Sequence, residues 1–239
     1  MHYKNIVEGN FIDRPNRFVA HVEIDGSVKE AHVKNTGRCK ELLLPGSRVC
    51  LQYFPNSKAA GDLKASRKMA YDIVSVYKNS RLINMDSQST NKAVNEWLLK
   101  GGDGLFGNIS LIKPESRFKD SRFDFYLEAE EKKIYLEVKG VTLEDKDIVY
   151  FPDAPTSRGV KHVKELTEIA QSGEKDLEAW LIFAIQLENV KYLTTSEEID
   201  AEFARALREA DRAGVKILAY DCIIHPDEIT LNKPVKVIL

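Results

Sequence analysis

Two short runs of the chain combine carboxylates with alternating apolar residues. Residues 121–127 and 133–140 each alternate apolar and polar side chains, which predicts two half-buried strands. The polar run between them is short enough for a hairpin, and a turn at Glu130-Glu131 places Asp124 directly opposite Glu137. Opposed residues of an antiparallel pair share a face of the sheet, with Cβ atoms about 5 Å apart. We therefore expect these two carboxylates to converge.

Such a pair suits a hard divalent cation. Mg²⁺ binds one or two carboxylates together with waters and a substrate phosphate, and a cation would relieve the repulsion between Asp124 and Glu137. Lys139, two residues beyond Glu137, could orient or help deprotonate an attacking water, or neutralise charge on a phosphate. The alternative is that all three are ordinary residues on the solvated face of a hairpin.

The composition is that of an ordinary soluble globular protein. The 239 residues are 43% hydrophobic and 30% charged, and no apolar run approaches the roughly 20 residues that span a bilayer. The N-terminus lacks the apolar core of a signal peptide, and the three cysteines form no C-x-x-C pair. We expect no membrane contact, no disulfide framework, no zinc knuckle and a cytoplasmic location.

The net charge of −2 is unevenly distributed. Residues 1–85 contain 14 basic and 8 acidic residues, whereas the remainder contains 21 and 29. This asymmetry hints at an anionic partner for the basic part, and a phosphate backbone is the commonest such partner. The alternative is a merely solvated surface.

Residues 1–85 predict a small all-β domain. Asp25-Gly26-Ser27 marks a hairpin turn, and a short helix is expected at 38–43. Three strands, a helix and further strands form the order of a five-stranded OB-type barrel, which binds oligonucleotides and oligosaccharides. Basic and aromatic residues interleave here, as in domains that bind a single strand, although each aromatic could instead belong to the core. The basic residues expected to contact nucleic acid are Arg14, Arg17, Lys34, Arg38 and Lys40.

Residues 86–239 alternate helix and strand, which predicts an α/β domain with the paired carboxylates on a central hairpin. One helix follows a cap at 86–90, and another begins near Thr156 or Ser157. The apolar run 180–187 predicts a strand buried on both faces. A helix at 197–212, a strand at 215–224 and an edge strand at 235–239 complete the domain. The edge strand could pair with a second copy of the chain.

The order αβββαβ, with an Asp on one strand and Glu-x-Lys on the next, resembles the PD-(D/E)xK nuclease superfamily. From about residue 10 to the C-terminus, more specific strings resemble the sugar fermentation stimulation protein A family. These strings are Asn35-Thr36-Gly37, residues 121–125, residues 136–143, Tyr150-Phe151-Pro152-Asp153-Ala154, Arg158-Gly159-x-Lys161-His162 with Glu165-Leu166, and Gly214-Val215-x-Ile217-Leu218-Ala219-Tyr220.

The resemblance implies an OB-like domain followed by a nuclease-like α/β domain with a mixed sheet. It also implies DNA binding without sequence preference and a link to sugar (maltose) metabolism as a regulator. Carried over by motif, Mg²⁺ or Mn²⁺ would be held by Asp124, Glu137 and the Val138 carbonyl, with Lys139 as the catalytic lysine.

Further residues follow from the same resemblance. Glu96 and Glu115 stand where the superfamily often has an accessory acid, although either could be a surface carboxylate. Phe123 stands where the superfamily motif has Pro. The residues of this domain that would contact a phosphate are Arg122, Arg158, Lys161 and His162. For Arg158 and His162 a packing or salt-bridge role is the alternative.

Three functions remain open at this point. The first is a metal-dependent nuclease that hydrolyses phosphodiester bonds. The second is a non-catalytic DNA-binding regulator of sugar metabolism that keeps the nuclease fold. The third, an oligosaccharide-binding barrel, has no sugar site marked in the sequence. Binding that weakens steeply with salt would favour nucleic acid over sugar.

Overall fold

The computed structural model describes residues 1–35, 37, 39–62, 64–119 and 121–239. These residues form two compact units. The first comprises residues 1–89, 186–188 and 223–230. The second comprises residues 90–185, 189–222 and 231–239. Each unit is therefore assembled from segments that are separated in the sequence.

The first unit contains a closed barrel of five strands over its described residues, as the sequence predicts. The strands of this part are β1 (Ile6–Asn16), β2 (Val19–Ile24), β3 (Ser27–Val33), β4 (Arg48–Tyr53), β5 (Tyr71–Lys78) and β6 (Arg81–Asn84). The antiparallel order β3-β2-β1-β4-β5 is closed by parallel pairing of β3 with β5, and β6 pairs with β5.

Turn residues decide two features of the barrel. Asp25 and Gly26 have φ of 49° and 71°, as a two-residue hairpin turn requires, and Ile24 pairs with Ser27 across it. The predicted helix at 38–43 is wrong, because the described residues 39–43 form turns. Cys39 has φ of 46°, which lies outside the right-handed helical region, so a single turn forms there.

A mixed sheet and three helices, counted over the described residues, make up the rest of the chain. The helices are α1 (Ser89–Leu99), α2 (Ser157–Ala170) and α3 (Ala201–Ala213). The strands are β7 (Ile109–Phe118), β8 (Ser121–Ala129), β9 (Lys132–Val141), β10 (Leu143–Asp145), β11 (Ile148–Phe151), β12 (Leu177–Ile185), β13 (Tyr192–Thr195), β14 (Lys216–His225) and β15 (Glu228–Ile238). Their order in the sheet is β10-β11-β13-β15-β14-β12-β9-β8-β7.

Apart from the short strands β10 and β11, which lie between β9 and α2, the elements α1, β7, β8, β9, α2 and β12 follow the predicted order αβββαβ. Strand β12 pairs in parallel with β9 and β14, and its residues 179–185 are all buried, which explains its continuous apolar sequence. Helix α2 begins where predicted, since the Thr156 Oγ1 accepts a 3.0 Å hydrogen bond from the Gly159 N–H. Helix α3 begins later than predicted, because Asp200 caps it by accepting from the Phe203 N–H.

The C-terminal strand is not an edge strand, and this prediction is wrong. β15 lies between β13 and β14, and its Val237 pairs in parallel with Leu193 of β13. A strand that is paired on both sides cannot add to a second copy of the chain, so this route to a dimer is removed. The sequence pattern also missed β7, whose Pro114 is tolerated because β7 is an edge strand. No helix in the described part of the chain is long and apolar enough to cross a membrane.

Candidate active site

The β8–β9 hairpin has the predicted register. Ala129 pairs with Lys132 next to the turn, and Phe125 pairs with Leu136 four steps further along. One more step places Asp124 opposite Glu137. The register was predicted from the alternation of apolar and polar side chains. The burial of β8 follows the same alternation, since every second side chain from Ser121 to Ala129 is buried.

Asp124 is held by two hydrogen-bond donors. Its Oδ2 accepts a 2.8 Å bond from the backbone N–H of Val138, and its Oδ1 accepts a 2.6 Å bond from the side-chain amide of Asn91 on α1. Burial, reinforced by the negative charge of Glu137, nevertheless raises the pKa of Asp124 to about 6. The carboxyl group is therefore fixed in position and costly to ionise.

Glu137 is buried, with only 3% of its surface exposed. Its Oε1 accepts from the Lys139 ammonium at 2.5 Å and lies 2.5 Å from the Nδ1 of His162 on α2. Burial alone would raise the pKa of Glu137, but the bonds to His162 and Lys139 outweigh it and lower the pKa. Its Oε2 is buried and has no hydrogen-bond partner among the described residues. A solvated surface position is therefore excluded for Glu137.

Helix α2 and strand β12 provide the neighbours of Glu137. His162 is buried on α2, and its ring lies 5.8 Å from the ring of Phe123. Leu181 of β12 pairs with Glu137 in the parallel ladder and is completely buried. The residue that departs from the superfamily motif, Phe123, thus packs against the histidine that contacts Glu137.

The donor set fits a divalent cation of the Mg²⁺ type. Among the described residues no three His, Cys, Asp or Glu side chains form a group that could hold a metal. Asp124 and Glu137 would therefore need carbonyl, water or phosphate oxygens beside them, which is how Mg²⁺ is usually bound. The observation that supports the fit is the buried Oε2 of Glu137, which has no hydrogen-bond partner in the part of the chain that the structure describes, because buried polar atoms are normally paired.

The two expected accessory acids do not join this pair. Glu96 is exposed on α1, and Glu115 is exposed on β7 with its carboxylate 3.4 Å from the Arg122 guanidinium. Neither forms a metal-holding group with the pair among the described residues. The residue of α1 that does reach Asp124 is Asn91. The sequence gave no signal for it, because an asparagine near a helix start is ordinary.

Several basic residues predicted to bind nucleic acid are exposed. Arg17 and Lys40 lie on the surface of the first unit, and the Arg17 guanidinium lies 4.7 Å from the centre of the Phe18 ring. In the second unit the exposed residues of this set are Arg122, Arg158 and Lys161. Their role in binding stays a prediction, and Arg38 lies outside the described residues.

Three other residues predicted to contact phosphate have partners within the protein. Lys34 places its ammonium 2.5 Å from Asp86 and 3.5 Å from Asp72, two buried carboxylates, so its charge is already compensated. Arg14 donates to backbone carbonyls, including those of Gly37 and Asn35, and thereby fixes the chain after β3. His162 is buried against Glu137 and cannot face a phosphate in solvent.

Stability is expected to depend on pH through Asp124. Its folded pKa of about 6 lies above the roughly 3.9 of an unfolded aspartate, so its stabilising contribution is full below pH 4 and is lost as pH rises through 6. The change in unfolding free energy between pH 4 and pH 8 should differ by about 2 kcal/mol between the wild type and Asp124→Asn. Urea unfolding in metal-free buffer measures it, because Trp97 and Trp180 both lie in the second unit. Identical pH profiles would contradict this assignment.

Comparisons with known proteins cover nearly the whole chain. The family model described as "SfsA N-terminal OB domain" matches residues 12–85, and "Sugar fermentation stimulation protein RE domain" matches residues 88–228. The sugar fermentation stimulation protein homolog of Ruminiclostridium cellulolyticum is 53% identical over 237 residues, which are 99% of each chain. The homolog of Clostridium beijerinckii is 50% identical over 239 residues, 100% of each chain.

A solved structure is similar over the same extent. The structure of Pyrococcus furiosus SfsA in complex with Ca²⁺ matches with a TM-score of 0.87 and 28% sequence identity. The match covers 100% of this chain and 98% of that chain. Both the barrel and the mixed sheet with its helices are therefore shared with this neighbour.

Proposed function

Since the chain belongs to the sugar fermentation stimulation protein (SfsA) family, we propose that it is a divalent-metal-dependent nuclease that hydrolyses phosphodiester bonds of DNA. The state of Glu137 carries the proposal. One carboxylate oxygen accepts from Lys139 and His162, and the other is buried without a partner among the described residues. A cation at that oxygen accounts for an otherwise costly arrangement.

Mg²⁺ or Mn²⁺ would be held by Asp124, Glu137 and the carbonyl of Val138. When bound, the cation would supply positive charge for the phosphate and lower the pKa of a water. The Pyrococcus furiosus neighbour is described as a complex with Ca²⁺, which like Mg²⁺ takes oxygen ligands. That description supports a divalent-cation site in the family.

The chain's own residues supply the remaining features. The Lys139 side chain is 15% exposed, so its ammonium can reach a phosphate while its bond to Glu137 keeps it in place. His162 fixes the orientation of Glu137, and Asn91 together with the Val138 N–H fixes Asp124. Groups that hold ligating carboxylates in this way are typical of metal centres.

DNA binding is proposed through exposed basic side chains. Arg17 with Phe18 and Lys40 lie on the barrel, and Arg158 and Lys161 lie on α2. Exposed cations give binding that does not depend on sequence and weakens as salt rises. The basic side chains would therefore supply affinity for DNA, whereas Asp124 and Glu137 would serve the hydrolysis of the phosphodiester bond.

The test is cleavage of labelled single-stranded and duplex DNA with Mg²⁺ or Mn²⁺. The wild type should cleave only with metal, and Lys139→Ala and Asp124→Ala should each lower the rate by at least about 100-fold, the usual cost of losing a positioned charge. Lys132→Ala is the matched control, because Lys132 lies on the same hairpin but is exposed and pairs with Glu178 rather than with Glu137. DNA binding should persist in all four proteins and weaken with salt.

One result would overturn the enzyme proposal. If the wild type binds DNA in a salt-sensitive manner but cleaves neither substrate with either metal, the protein is a non-catalytic DNA-binding regulator. In that case the buried Oε2 of Glu137, which lacks a partner among the described residues, would need another explanation.

A further inference from the structure

A groove of about 700 Å³ lies on β7, β8 and β9. Its lining includes the rings of Phe118, Tyr126 and Tyr135 and the cationic side chains of Lys113 and Arg117. The volume is in the range that proteins use for one small-molecule ligand, about 300–1,000 Å³. Nothing in the proposed chemistry of the acidic pair uses these residues.

The three rings form a continuous aromatic series. The Phe118 and Tyr135 centroids are 5.1 Å apart, and the Tyr135 and Tyr126 centroids are 5.2 Å apart. All three side chains are only partly buried, although large aromatic rings of a folded domain usually pack into its core. The groove therefore offers aromatic surface to a ligand.

The charges in the groove suit an anion. Lys113 and Arg117 form no ion pair with any described residue. Of the acids in the lining, Glu115 lies 3.4 Å from the Arg122 guanidinium, whereas Glu128 accepts a 3.0 Å hydrogen bond from the neutral Tyr126 hydroxyl and keeps its negative charge. Glu174 at the rim interacts electrostatically with Lys133. Lys113 and Arg117, both on β7, are therefore the side chains of the groove that can contact a ligand's negative groups.

The groove continues the face that carries the acidic pair. Tyr126 pairs directly with Tyr135 in the β8–β9 ladder. Tyr126 is two residues after Asp124, and Tyr135 is two residues before Glu137. Residues two apart on a strand share a face and lie about 7 Å apart, so the aromatic series lies one step along the strands from the acidic pair.

We infer that this groove is a stacking subsite for unpaired nucleobases of single-stranded nucleic acid, with Lys113 and Arg117 contacting its phosphates. Bases of a duplex already stack on their neighbours, whereas a single strand can lay its bases on protein rings. This inference specifies single-stranded nucleic acid as the substrate of the proposed nuclease. It rests on the proposed function for the path of the strand towards Asp124 and Glu137.

The test measures binding in EDTA, so that cleavage plays no part. Fluorescein-labelled (dT)₁₂ and a blunt 12-base-pair duplex are titrated with the wild type, Tyr126→Leu, Tyr135→Leu and Lys113→Ala. Each Tyr→Leu change should weaken (dT)₁₂ binding by about 5- to 150-fold, the usual effect of removing one stacking ring, and should leave duplex binding unchanged. Tyr192→Leu is the matched control, because Tyr192 is a half-buried tyrosine on β13.

Lys113→Ala changes an exposed edge-strand residue and should weaken (dT)₁₂ binding and reduce its salt dependence, even where a tyrosine variant fails to fold. Unchanged (dT)₁₂ binding in the folded variants, or equal losses for (dT)₁₂ and duplex, would overturn the subsite. The nuclease proposal can fail separately. If the variants lose (dT)₁₂ binding but the wild type shows no metal-dependent cleavage, the groove is a binding site on a non-catalytic protein.

Discussion

Glu137→Gln is expected to abolish both Mg²⁺-dependent cleavage and the stabilisation of the folded protein by Mg²⁺. The change keeps the size of the side chain but removes the anionic oxygens, one of which is buried without a partner among the described residues. A cation at 100 times its Kd stabilises a folded protein by about 2.7 kcal/mol. That increment, followed by tryptophan fluorescence during urea unfolding, should vanish in the variant, and cleavage should fall by at least about 100-fold.

The matched control is Glu131→Gln. Glu131 is exposed in the turn of the same hairpin, so its change removes the same charge without touching the acidic pair. It should keep both the Mg²⁺ stabilisation and the cleavage rate. Undiminished Mg²⁺ stabilisation of Glu137→Gln would show that the cation binds elsewhere, and the proposed metal centre would be abandoned.

Leu181→Ala is expected to have the largest effect on stability. Leu181 is completely buried on β12, the strand that pairs with β9 on one side and β14 on the other, and it stands beside Glu137 in the ladder. Truncating a buried leucine removes apolar burial and leaves a cavity, which costs about 2–5 kcal/mol. Urea unfolding followed by tryptophan fluorescence reports the loss, because both tryptophans lie in the same unit.

Leu99→Ala provides the same chemical change at an exposed position. Leu99 is 69% exposed at the end of α1, so its truncation should change the unfolding free energy by no more than about 0.5 kcal/mol. Equal effects of the two substitutions would mean that β12 does not form part of the cooperative core of this unit.

The sequence by itself determined the features that repeat locally. The period of two in residues 121–127 and 133–140, with a short polar turn between them, was enough to set the pairing that brings Asp124 opposite Glu137. A left-handed turn at Asp25 and Gly26 between two alternating runs was likewise enough for the β2–β3 hairpin. In each case the deciding interactions join residues that are close in the chain, so the pattern carries the information.

Only the tertiary structure decided which side chains surround the acidic pair. His162, predicted to face a phosphate, is buried against Glu137 because α2 packs over the sheet, and Asn91 rather than Glu96 reaches Asp124 from α1. Lys34 is compensated by carboxylates distant in sequence, and β15 becomes an internal strand by pairing with β13. Such contacts join segments that are distant in the sequence. The type of a residue and its neighbours in the chain do not specify which side chain of another element will pack against it.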